Sequence, residues 1–76
     1  MFDELRQALE AADLKEGETI GLKKLSEKTG LRIPKWAEQL KSLSIGFLVR
    51  EELAKAGFGY AAMRRGRKWT FTFKRI

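Results

Sequence analysis

Seventy-six residues make one domain with a modest core, so a single domain over 1–76 is expected. Cysteine and histidine are both absent, which removes disulfides, thiolate metal sites, the commonest metal ligand and the commonest general base. Sixteen Lys and Arg against ten Asp and Glu leave a net charge of +6, the balance of a chain that attracts polyanions.

That charge is unevenly spread. Residues 1–20 carry six acids and two bases, residues 21–52 seven bases and four acids, and residues 53–76 seven bases and no acid. With 34% charged residues and no asparagine, the composition leans toward that of proteins from hot environments. The start, MFDEL, is acidic where a signal peptide would be basic. The longest apolar run, 45–49, is interrupted by Gly46 and far too short to span a bilayer. A cytoplasmic protein without membrane contact is the expectation.

Phe2, Leu5 and Leu9, with Ala8 and Ala12, predict an amphipathic helix over 3–13. Asp3 is its expected N-cap, and Glu4 suits the positive end of the helix dipole. Glu10, Asp13, Glu16 and Glu18 would repel phosphate, which places this helix away from nucleic acid and over the core. A short extended piece follows at 18–20, with Ile20 inward and Gly21 as N-cap of the next helix. Leu22 and Leu25 share one face of a helix over 22–29, whose outer face carries Lys23, Lys24 and Lys28. Gly30 stands where this helix must stop and turn, and the small Ser26 allows a close helix crossing.

A third helix starts near 33–34, where proline in the first turn is favourable. Trp36, Leu40 and Leu43 fall at i, i+4 and i+7 and form its apolar stripe, with Trp36 read as core rather than as a base-stacking platform. The opposite face is Pro34, Lys35, Glu38, Lys41 and Ser42, flanked by Gln39. Lys35 and Lys41 suit phosphates or guanine edges, Gln39 suits adenine, and Glu38 can accept from cytosine N4. A carboxylate beside phosphates is repelled, so Glu38 either reads a base or marks a face less engaged than the C-terminal end.

Residues 46–49 are expected to be extended or irregular, and 50–56, rich in helix formers and closed by Gly57, a short helix. From 58 to 75 apolar and polar residues alternate around Arg64-Arg65-Gly66-Arg67, the pattern of a β-hairpin. With Arg65-Gly66 as the loop, Ala62 faces Trp69, Tyr60 faces Phe71 and Phe58 faces Phe73, all on one side. A bulge at Gly66 would change that register. The tip collects Arg64, Arg65, Arg67 and Lys68 within five residues and without an acid. Guanidinium groups bind phosphate bidentately and favour narrow minor grooves.

Leu25, Ser26, Gly30, Leu31, Trp36, Leu40 and Leu43 sit at the spacing of a helix-turn-helix of the winged kind. The chain resembles that family well over 20–50 and loosely in the hairpin. The resemblance implies an α+β fold: a three-helix core, here with a short fourth helix near 50–56, and a C-terminal β-hairpin wing. It also implies a minimal strand at 18–20 that closes the sheet edge, and a wing whose basic tip lies along DNA. A helix at 50–56 departs from the family pattern, in which the strand after the recognition helix leads straight into the wing.

The expected function is double-stranded DNA binding, sequence-tolerant or sequence-specific, as in a small transcriptional regulator. Lys35, Glu38, Gln39, Lys41 and Ser42 would carry any sequence preference, and Arg64, Arg65, Arg67 and Lys68 the affinity. The alternative is a protein-interaction module of the same fold within a larger complex. RNA is a less favoured partner, because Tyr60, Trp69 and Phe71 read as inward. No helix is left over for pairing two copies, so a monomer is expected. No enzymatic activity, cofactor or metal is expected: Glu51-Glu52 read as solvated surface, and Gly57-Phe58-Gly59 lacks the spacing of a phosphate-cradling loop.

Overall fold

The computed structural model describes residues 2–76, with Pro34 by its backbone alone. It is a small α+β domain with the order α1 (Asp3–Ala11), β1 (Thr19–Gly21), α2 (Leu22–Thr29), α3 (Ile33–Leu40), α4 (Leu43–Lys55), β2 (Phe58–Arg65) and β3 (Lys68–Arg75). The three strands form one antiparallel sheet in the order β1-β3-β2. No helix among the described residues is long and apolar enough to cross a membrane.

Helix α1 buries Leu5, Ala8 and Leu9 along one stripe, as the periodicity requires. Its N-cap is Phe2, which makes no side-chain cap. The expected cap at Asp3 is therefore corrected: Asp3 is inside the helix, where its carboxylate meets Arg6 at 3.3 Å. The helix also ends at Ala11, two residues short of expectation, and Asp13 turns the chain at φ 54°. Strand β1 is offset by one residue from 18–20, and Ile20 is buried as expected.

The corner between α2 and α3 is built locally. The Gly30 N–H closes the last turn of α2 on the Ser26 carbonyl at 2.7 Å, and the left-handed conformation of Gly30 at φ 78° then turns the chain out of the helix. The Ser26 hydroxyl donates to the Leu31 carbonyl at 2.5 Å and ties the outgoing chain back to α2. Ser26 thus does more than leave room for a crossing.

Two expectations fail after Leu40. Leu43 does not extend the stripe of α3; it opens α4 and is 87% exposed. Residues 46–49 are not extended, and the short helix at 50–56 is the second half of a 13-residue helix beginning at Leu43. The reason is a new start at Ser42, whose side chain accepts from the Ile45 N–H at 3.4 Å. Val49 and Leu53, four apart, then hold α4 on the sheet beside β2. The three-helix core is therefore a four-helix one.

The hairpin register is also corrected. Arg65 pairs with Lys68, so the loop is Gly66-Arg67 rather than Arg65-Gly66. Gly66 at φ 60° supplies the positive φ that the first position of a II′ turn needs. Phe58 pairs with Arg75, Tyr60 with Phe73, Ala62 with Phe71 and Arg64 with Trp69. Because the pairing moves by two residues, every side chain keeps its face. Phe58, Tyr60, Phe71 and Phe73 therefore still form the buried side of the sheet. They close a core with Leu5, Leu9, Leu25, Trp36, Leu40, Val49 and Leu53.

Candidate nucleic-acid interface

Only the base of the hairpin is packed. In β2 the chain is buried at Phe58 and Tyr60 and exposed from Ala61 to its end. In β3 burial resumes at Phe71, with Trp69 half-buried. The outer part stands clear of the core and carries all four predicted basic residues, each exposed. Alternation sends Arg65 and Lys68 to the face away from the helices and Arg64 to the helix side, while Arg67 lies in the turn.

The tip is partly preorganised. The Arg64 Nε donates to the Gly66 carbonyl at 2.8 Å, and its guanidinium lies 5.8 Å from the Trp69 ring centroid. Trp69 in turn stacks on Phe71 at 5.9 Å, which anchors the tip to the core. Among the described residues no carboxylate pairs with Arg64, Arg65, Arg67 or Lys68. Arg65 and Lys68 sit directly across from one another, a like-charge pair that disfavours the bare turn.

The polar face of α3 differs. Lys35 meets Glu4 of α1 at 3.4 Å, and Lys41 meets Glu38 at 3.6 Å. These are exposed pairs of small net value, but they bring a carboxylate beside each cation. The acidic helix α1, expected to lie away from any phosphate, thus borders one end of this face. Gln39 is half-buried, and the Ser42 hydroxyl is engaged as the cap of α4. Lys28, on the outer face of α2, donates to the Ala12 carbonyl at 2.8 Å.

The sequence reading missed the outer side of α4. Leu43, Phe47 and Arg50 follow i, i+4, i+7 spacing and line one groove, a signal hidden by the expectation of a strand at 46–49. Tyr60 lies at the floor of that groove, stacked on Phe73 at 5.4 Å, with its hydroxyl buried and without a partner.

Burial pushes the Tyr60 phenol up to about 12 from 10.0, with the Arg50 guanidinium pulling the other way. The folded state then keeps a proton that the unfolded chain releases. The stability linked to Tyr60 is whole below pH 10.0 and is lost as the pH climbs toward about 12. Tyr60 is the only tyrosine, so phenolate absorbance reads it directly. The expected midpoint is near 12, Tyr60→Phe abolishes the step, and a midpoint near 10.0 contradicts the burial argument.

Among the described residues no group of three or more His, Cys, Asp or Glu is placed to hold a metal ion. No protein-family model, curated protein or solved structure matches the chain.

Proposed function

We propose that the chain is a winged-helix-type domain that binds double-stranded DNA without catalysing a reaction, and that the hairpin supplies most of the affinity. The observation that carries this reading is the hairpin end: four basic side chains, exposed and free of carboxylate partners among the described residues. The strand order β1-β3-β2, the helices before the hairpin and the left-handed glycine corner support the fold part of the reading.

A tip of arginines tracks backbone or a narrow minor groove and reads few base edges. Sequence preference then falls to Lys35, Glu38, Gln39, Lys41 and Ser42 on α3 and its C-terminal corner. Their ion pairs with Glu4 and within the helix, and the cap role of Ser42, make this the weaker half of the interface. Sequence-tolerant binding is the favoured mode.

The test is fluorescence anisotropy of a labelled random-sequence duplex over a range of salt. Contact with about six phosphates gives a log–log slope of about −5. A slope near zero, with binding no tighter than that of an unrelated basic protein, overturns the DNA reading and leaves a protein partner as the remaining role for the basic tip.

A further inference from the structure

A groove of about 370 Å³ runs between the start of α4 and the helix side of the hairpin. Leu43, Phe47, Tyr60 and Trp69 line it, with Arg50 and with Lys41, which also meets Glu38 at 3.6 Å, and no acidic residue is among the lining. Leu43 is 87% and Phe47 61% exposed. Two large apolar side chains one helical turn apart, beside a groove, differ from the scattered exposed leucines of an ordinary surface. Arg64, held over Trp69, adds a third cation at the hairpin side.

We propose that this groove docks an acidic amphipathic segment of a protein partner. Its apolar side chains pack between Leu43, Phe47 and Trp69, and its carboxylates face Lys41 and Arg50. Charge complementarity selects this occupant. A second copy, itself carrying +6, would bring two sets of Lys41 and Arg50 together. A nucleic-acid strand would satisfy the cations but leave the aliphatic Leu43 ridge in water. This inference does not rest on the DNA reading, although Lys41 and Arg64 serve in both.

The test uses a fluorescein-labelled helical peptide with Leu, Phe and Leu at i, i+3 and i+7 among glutamates, in the helix-in-groove mode. Its control has the three apolar residues changed to alanine. Wild type should prefer the first peptide by about tenfold or more, and Phe47→Ser and Arg50→Glu should each lose about tenfold, the scale of one buried anchor. Both positions are exposed, so the variants should keep the wild-type thermal midpoint. Amide shifts of the wild type on adding the peptide, expected at 43–50 and 60–62, give a readout free of any substitution. Phe47→Ser should still bind the random duplex like wild type. Equal binding of the two peptides, or shifts elsewhere, overturns the proposal. So does a dimer in sedimentation that Phe47→Ser dissolves, which would make the occupant a second copy. Loss of duplex binding in Phe47→Ser would assign the groove to nucleic acid instead.

Discussion

Replacing Trp36 by alanine lowers the unfolding free energy by about 3–5 kcal/mol. Trp36 is 1% exposed, sits on α3 between α2 and α4, and meets the Phe2 ring at 6.2 Å. Its indole N–H is buried without a partner, so its contribution comes from ring packing and from the Lys35 ammonium 5.7 Å from the ring centroid, not from a hydrogen bond. A domain below about 80 residues rarely draws more than about 3–5 kcal/mol from its core. Trp36→Ala should therefore be largely unfolded at room temperature. Trp36→Phe, which keeps most of the ring and removes the unpaired donor, should be much milder. Urea denaturation followed by far-ultraviolet circular dichroism measures both. A loss of about 0.5 kcal/mol or less for the alanine variant, as at a surface site, would contradict the central place given to Trp36.

The second large effect is on binding. Changing Arg64, Arg65 and Arg67 together to alanine should flatten the salt slope on random duplex by about 3 units, roughly one for each lost phosphate contact. Stability should hardly change. The Arg64 contacts with Trp69 and the Gly66 carbonyl are lost, but so is the repulsion between Arg65 and Lys68. A wild-type thermal midpoint in the variant separates lost binding from lost folding. An unchanged slope would remove the hairpin from the interface and return attention to α3.

What could be read from the sequence was local. The bounds of α2, the turn at Gly30 and the burial of Trp36 and Leu40 each follow from residues within one or two turns of one another. The junction of α3 and α4 was hidden because Leu43 falls at i+7 from Trp36 and so mimics a continuing stripe. Only the new helix start at Ser42 separates the two. The run Gly46-Phe47-Leu48-Val49 has strand-like composition, yet Val49 and Leu53 make it helical by packing beside β2, a tertiary choice that overrides propensity. The register of the hairpin turned on one glycine that can stand first or second in a two-residue loop. The shift was even, so the core face remained legible while the neighbour of Trp69 changed from Ala62 to Arg64. In the candidate site the cluster at 64–68 was visible in the sequence. The pairing of Lys35 with Glu4 was not, since 31 residues separate them and only the packed fold brings α1 beside α3.

The most direct test of the account is an amide chemical-shift map of the folded protein titrated with a short unlabelled duplex. It should show its largest changes at Arg64–Lys68, smaller ones along α3 and almost none on the acidic helix α1. Changes centred on α4, or spread evenly over the surface with the hairpin tip unmoved, would contradict the claim that the hairpin is where this protein meets DNA.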